Sequence, residues 1–194
     1  TCMTAPCTAL LCVTAGFTYA SYIRIRDPLG KSEILGTLPM LPMALSSVVM
    51  GVGMTIAVRS ASIATLVLAE AALAWPLAFR QIYASLCAVP QTAIDAGRML
   101  SPVAPDTVFR IMIPSAKRGI VSAFGFCFAV SMGDTALPLV LSVPRFDTLS
   151  LYTYRLASAY RFSDACICGT ILCALCALVF AFGNKINNFG SLYG

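Results

Sequence analysis

The first residues with possible chemistry are acidic side chains inside apolar stretches. Glu70 lies at the middle of the stretch Ala61–Phe79, and Asp134 lies in the last third of 119–141. A lone carboxylate within a membrane span costs on the order of 2.5 to 3.5 kcal/mol on insertion scales, so Glu70 is expected to face the interior of a helical bundle. It could attract a cation along a pathway, or it could hydrogen-bond a neighbouring helix.

Asp134 follows Gly133 near the end of its stretch, at an expected membrane boundary. It could line an outer gate, or it could pair with Arg155 or Arg161 in an outer loop. The structural ion pair is the favoured interpretation.

Three tyrosines lie close to one another in the sequence after Asp134: Tyr152, Tyr154 and Tyr160. Their rings could stack on a cationic aromatic ligand through cation–π contacts. Tyrosine is also enriched at membrane interfaces in general. The interface-anchor interpretation is therefore favoured, with the ligand contact kept as the alternative.

The cysteines indicate packing rather than metal chemistry. The chain has nine cysteines and no histidine, which excludes mixed zinc sites. Cys173 and Cys176 have a CxxC spacing, but in an uncharged helix cysteine behaves as a small hydrophobe. There is also no glycine-rich phosphate loop, no serine–histidine–acid set and no pair of catalytic carboxylates. The sequence therefore predicts no metal site, no cofactor and no catalytic site of its own.

Composition places these residues in a membrane protein. Of 194 residues, 59% are apolar and 11% are charged, against about 25% charged in a typical soluble domain. The net charge of +5 comes from basic residues that lie singly, so a nucleic-acid surface is not supported.

Hydropathy predicts an all-α bundle of about five membrane spans in a single domain, since one span takes about 20 apolar residues. The first stretch begins at once without a basic leader, so we expect the chain to lack an amino-terminal part. The expected spans are 1–23, 34–58, 61–79, 119–141 and 165–183, with a connecting segment at 80–118.

Basic residues then predict the orientation. One arrangement places nine lysines and arginines on the side of segment 80–118 and four on the other side. The positive-inside rule makes the richer side cytoplasmic, together with the carboxyl terminus.

Segment 80–118 has the pattern of a helix, a turn and a second helix. Thr92 and Asp95 are spaced as a helix start, and Pro102 and Pro105 force a turn. The spacing resembles the cytoplasmic signature of binding-protein-dependent ABC importer permeases. In that signature an acid is followed by two alanines, a glycine lies six positions after the acid, and isoleucine, any residue, leucine and proline follow. The corresponding positions are Asp95, Ala96, Gly97, Ser101, Ile111, Ile113 and Pro114.

Gly97 and Ser101 depart from the signature, which has alanine and glycine there. The resemblance implies that the segment is a coupling helix-turn-helix that docks on a cytoplasmic ATPase dimer, which binds ATP and magnesium. It also implies an extracytoplasmic binding protein, a second permease half or protomer, and a multi-pass location in the bacterial inner membrane. An amphipathic helix at the membrane surface is the alternative interpretation of the segment.

The last part of the chain restricts the range of cargo molecules to be expected. The residues around Gly133–Asp134, Thr148–Leu149 and Tyr160–Arg161 resemble the end of thiamine importer permeases, although Ser150 replaces a proline. This resemblance implies thiamine or its phosphates as cargo, and ferric iron and polyamines stay open as alternatives. A transporter driven by an ion gradient, without an ATPase partner, is the alternative from another class.

Overall fold

All regular structure in the described residues is helical. The structure, a computed structural model, describes residues 3–26, 33–58, 61–90, 92, 96, 99, 112–144 and 146–189, and no β-strand occurs among them. This confirms the prediction of an all-α chain.

The elements follow one another in a simple order. The helices are α1 (Thr4–Arg26), α2 (Glu33–Thr37), a 3₁₀ helix (Leu38–Ala44), α3 (Ser47–Val58), α4 (Ile63–Cys87), α5 (Ile113–Ser115), α6 (Lys117–Gly133), α7 (Ala136–Leu141), α8 (Leu149–Ser158) and α9 (Phe162–Phe189).

Three of these helices, α1, α4 and α9, are long and apolar enough to cross a membrane. The expected span 61–79 is only the first part of α4, which continues to Cys87. Arg80 does not end the helix, because Ile82 and Leu86 continue its buried stripe with no exposed surface. Whether the chain has five spans stays a prediction.

The expected span 34–58 is two helical pieces that meet at an angle of 85°, and it counts as a fourth crossing only if the bent pair is one span. Pro39 and Pro42 lie in the 3₁₀ helix, where the missing N–H groups prevent regular α-helical hydrogen bonds. Leu45 then adopts an extended conformation and ends the first piece. The two prolines account for the 3₁₀ geometry of the segment that ends at this break.

The expected span 119–141 is also interrupted. α6 ends at Gly133, and Asp134 has an extended conformation before α7 begins. The Asp134 carboxylate accepts the backbone N–H of Ala136 at 2.9 Å, which stabilises the turn into the new helix.

The core lies where α1, α4 and α6 pack together. α1 and α4 run parallel, since Thr8 contacts Glu70 near one end and Arg24 contacts Val89 near the other. α6 runs antiparallel to both. Gly16 permits the close approach of α1 to α4, because a Cβ there would lie 2.8 Å from the backbone nitrogen of Phe79. Small residues at such contacts are typical of helices packed in membranes.

These directions collect positive charge at one end of the bundle, which we call the basic end. The carboxyl ends of α1, α4 and α9 and the amino end of α6 meet there, because Gly183 of α9 contacts Val121 of α6. Basic residues described at or near this end are Arg24, Arg26, Arg80, Lys117, Arg118 and Lys185. At the other end, the opposite end, the described basic residues Arg155 and Arg161 are each paired with an acid.

Candidate functional site

The site centres on Glu70, which is 3% exposed and faces the junction of α1, α4 and α6. The expectation that it faces the bundle interior is therefore confirmed. The hydroxyl of Thr8 on α1 donates to Oε2 of Glu70 at 3.0 Å, and the hydroxyl of Ser131 on α6 donates to the same oxygen. One carboxyl group thus connects three helices.

The second oxygen of Glu70, Oε1, is buried and has no hydrogen-bond partner among the described residues. Within the same residues, Glu70 takes part in no ion pair with a lysine or arginine. A buried polar atom without a partner carries a desolvation cost of about 1–3 kcal/mol. The junction therefore holds the one acidic or basic side chain that is buried among the described residues, and that side chain is incompletely hydrogen-bonded.

Sequence reasoning did not assign Thr8 and Ser131 to Glu70. Both are polar residues inside apolar stretches, the same signal that singled out Glu70. Hydroxyl side chains are common in apolar helices, where they can bond their own backbone, as Thr18 does to Thr14 at 2.9 Å. A polar residue in an apolar stretch was therefore not a specific enough signal to identify Thr8 and Ser131 as partners of Glu70.

Two thiols lie next to the Glu70 junction. Cys12 on α1 and Cys127 on α6 are fully buried. Each also donates to a carbonyl of α4, Cys12 to Ala71 at 3.6 Å and Cys127 to Ala74 at 3.5 Å. The two cysteines therefore extend the polar contact between the three helices by one turn.

Cys173 and Cys176, the CxxC pair, lie on α9 away from this junction, and all described cysteines are free thiols. No group of three or more potential metal ligands was found in the described ranges.

Asp134 occupies the turn between α6 and α7. Its carboxylate caps the first turn of α7, and its backbone carbonyl accepts the hydroxyl of Ser150 at 2.9 Å. Ser150 is the residue that departs from the resembled pattern. Its hydroxyl joins α8 to the α6–α7 turn, a contact that a proline there could not make.

The predicted pairing of Asp134 with Arg155 or Arg161 is wrong. Arg155 pairs with Asp147 at 2.7 Å, and Arg161 pairs with Asp164 at 2.5 Å. Both arginines find acids closer in the chain, and Asp134 is already engaged by the backbone of α7. The four paired side chains are 40% or more exposed, so each pair is worth little.

The three tyrosines do not converge on Glu70. Tyr152 and Tyr154 are 48% and 51% exposed on α8, and Tyr160 is 84% exposed just after it, beside Phe162. They lie at the opposite end of the bundle from Arg24 and Arg26. The structure therefore brings Glu70 together with Thr8 and Ser131, and leaves the tyrosines at the surface.

Most of the predicted coupling segment lies outside the described residues, including Asp95, Gly97, Ser101 and Ile111. Ala96 is helical and exposed, Ile113 is partly buried, and Pro114 is exposed. The carboxyl end of the segment is anchored in the bundle, since Met112 and Ala116 have no exposed surface.

The amino end of the segment is tied as well, because the guanidinium of Arg24 donates to the carbonyl of Val89 at 3.0 Å. The segment between α4 and α5 is therefore connected at both ends to the basic end of the bundle.

Chemically, the junction can hold helices in register and can offer a carboxyl oxygen to a cation if the helices separate. In the arrangement of Glu70, Thr8 and Ser131, two hydroxyl donors share one carboxyl oxygen. No protein-family model matches the chain, and the search of curated proteins returned no match.

Proposed function

We propose that the chain is the membrane permease subunit of an ABC-type importer. ATP is hydrolysed on a separate cytoplasmic ATPase dimer, and the segment between α4 and α5 carries the movement of that dimer to the helices. The observation that supports the proposal most directly is the burial of Met112 and Ala116 at the carboxyl end of this segment.

The proposed movement is transmitted through α6. Ala116 donates its N–H to the carbonyl of Met112 at 2.9 Å, and Ile120 donates to Ala116 at 2.9 Å, so α5 and α6 form an almost continuous helical rod. A force applied at Pro114 is therefore transmitted along α6 as a rigid-body movement. The far end of that rod is Ser131, which bonds Glu70.

The consequence is an alternating-access cycle. A shift of α6 relative to α4 separates Ser131 from Glu70 and opens the junction toward the opposite end, where an extracytoplasmic binding protein delivers cargo. Hydrolysis returns α6 and closes the junction. Glu70 then offers a negative or hydrogen-bonding oxygen to a cationic cargo passing between the helices.

The proposed orientation places the basic end in the cytoplasm of a bacterial cell, with the chain in the inner membrane. The basic end holds more of the described lysines and arginines, which is the sign that the positive-inside rule predicts. A second permease half or protomer completes the pathway.

The proposed cargo is thiamine or its phosphates, on the strength of the carboxy-terminal sequence resemblance. The test is ATP-dependent uptake of labelled thiamine into vesicles that contain the full-length protein, its ATPase and its binding protein. Competition by unlabelled thiamine alone supports this cargo. Competition by ferric iron or spermidine moves the cargo to those cations.

Coupling has its own test. Asp95→Lys in the coupling segment is expected to abolish cargo-stimulated ATPase activity, because it reverses a charge at the docking position. Asp164→Lys, a charge reversal at the opposite end, is the matched control and should leave ATPase activity within about twofold of the parent. Uptake that continues without ATP and collapses with the proton gradient would overturn the importer proposal.

A further inference from the structure

An apolar groove of about 630 Å³ runs along the surface of the bundle between α1 and α4. Small residues form its floor and aromatic residues form part of its wall. Residues that define it include Leu11, Ala15, Tyr19, Tyr22, Ala72 and Trp75.

The groove is deep at its floor, because the small side chains of Ala15 and Ala72 leave space between the two helices. The wall is well ordered by packing, since Tyr19 contacts Trp75 edge to face with ring centroids 5.9 Å apart. The Thr18 hydroxyl also lines the groove. It donates to a backbone carbonyl of its own helix at 2.9 Å, so its hydrogen atom is already used within α1. The groove is therefore an apolar slot rather than a polar binding site along most of its length.

The length of the groove matches one leaflet. From Leu11 to Tyr22 the groove follows α1 for about 16 Å, at 1.5 Å per residue. Half of a hydrocarbon core of about 30 Å is about 15 Å. One acyl chain of a lipid in the leaflet at the basic end fits this extent.

The groove ends at a cation. The Arg26 guanidinium donates to the hydroxyl of Tyr22 at 2.5 Å and lies 5.7 Å from the centre of its ring. This contact holds the Arg26 side chain beside Tyr22 at the end of the groove, where α1 ends. A guanidinium has five N–H donors, so one bond to Tyr22 leaves donors for an anion.

We propose that this groove binds an anionic phospholipid, with one acyl chain against Trp75 and the phosphate on Arg26. Charge complementarity favours this occupant, because a phosphate group can pair with the Arg26 guanidinium where the apolar groove ends. Arginine recognises phosphate oxygens through paired N–H groups. The assignment does not depend on the importer proposal.

Trp75 makes the proposal directly measurable, because it is the only tryptophan in the chain and lies in the groove wall. The full protein, with Trp75 as its only tryptophan, is placed in bilayers of phosphatidylglycerol and phosphatidylcholine. Bromine atoms are carried on the acyl chains of one lipid or of the other at the same mole fraction. We expect brominated phosphatidylglycerol to quench Trp75 fluorescence at least twofold more strongly than brominated phosphatidylcholine.

Arg26→Gln is expected to remove this difference, and Arg26→Lys is expected to keep most of it because the charge stays. Arg118→Gln, which removes a charge at the same end but on α6, is the matched control and should keep the full difference. Ala72→Leu fills the floor and should lower quenching by the anionic lipid while Arg26 is intact. Circular dichroism confirms that each variant keeps its helical content.

Equal quenching by the two lipids in the parent protein would overturn the proposal, as would a preference that survives Arg26→Gln. Absence of quenching by either lipid would also overturn it, because the groove would then be covered by protein.

Discussion

Thr8 on α1 donates a hydrogen bond of 3.0 Å to the carboxyl group of Glu70 on α4, across 62 positions in the chain. Ser131 on α6 donates to the same carboxyl oxygen. The polar contact in the core is therefore a three-helix junction.

Removing either hydroxyl from the junction should destabilise the bundle. Hydrogen bonds between helices in membranes contribute about 0.6 kcal/mol on average and up to about 1.7 kcal/mol. We expect Thr8→Val and Ser131→Ala each to lower the free energy of unfolding by about 1 kcal/mol, measured by denaturation in mixed detergent. The double variant should be less than additive, because both donors share one acceptor.

The matched controls for these variants are Thr170→Val and Ser158→Ala. Both hydroxyls are exposed and bond only their own helices, to Cys166 and Tyr154. Their loss should change stability by less than about 0.5 kcal/mol. Equal losses in controls and junction variants would show that the junction contributes nothing specific.

Close helix packing at Gly16 gives a second prediction. A side chain at this position meets the backbone of α4, which cannot move aside as a flexible side chain can. We expect Gly16→Leu to lower the free energy of unfolding by about 1–3 kcal/mol, the range for overpacked cores. The measurement is the shift in thermal aggregation temperature of the purified protein.

Gly53→Leu is the matched control, since among the described residues no atom outside the local helix backbone and the neighbouring residues lies within 4 Å of the Cβ position there. It should leave the aggregation temperature nearly unchanged. If Gly16→Leu were as harmless as Gly53→Leu, the close approach of α1 and α4 would be refuted.

Cys12 and Cys127 donate to carbonyls only three positions apart on α4, those of Ala71 and Ala74, and this proximity predicts a specific cross-link. In a background where the other cysteines are replaced by serine, a membrane-permeable diazene oxidant such as diamide should join the two thiols. Two protons and two electrons pass from the thiols to the diazene, which becomes a hydrazine. Mass spectrometry should detect the linked peptides, which come from helices 115 positions apart.

Cys12 paired with Cys166 instead of Cys127 serves as the control, because Cys166 is exposed on α9. That pair should not cross-link under the same conditions. Cross-linking of both pairs at similar rates would contradict the packing of α1 on α6.

Asp134 should be needed for its oxygen acceptors more than for its charge. Asp134→Asn keeps an oxygen that can accept the N–H of Ala136, so its stability should match that of the parent. Asp134→Ala loses this bond and should cost about 1 kcal/mol, as for other residues that cap a helix. Denaturation in mixed detergent measures both.

Cargo uptake separates the two roles of Asp134. If the residue only shapes the α6–α7 turn, uptake by Asp134→Asn should equal that of the parent. A large loss of uptake with normal stability would instead give the carboxylate a place on the pathway.

The helical class and the burial of Glu70 could be predicted from the amino-acid sequence alone. Long uncharged stretches leave the backbone no hydrogen-bond partners in lipid except its own, so α1, α4 and α9 could be predicted as helices. A carboxyl group at the middle of such a stretch is too costly to face lipid, so its inward direction also followed from the sequence.

The hydrogen-bond partners of Glu70 became known from the packing of the helices, and not from the sequence. Thr8 and Ser131 lie 62 and 61 positions from Glu70, and no local pattern couples residues so far apart in the chain. The turn into α7 engages Asp134, which the sequence did not indicate, whereas the i,i+3 spacing of Arg161 and Asp164 is a local pattern that could have indicated their ion pair. The breaks near Pro42 and at Asp134 interrupt two of the expected spans, and the reason is related. Hydropathy measures how apolar a stretch is, whereas the direction of the backbone depends on where each N–H finds its acceptor.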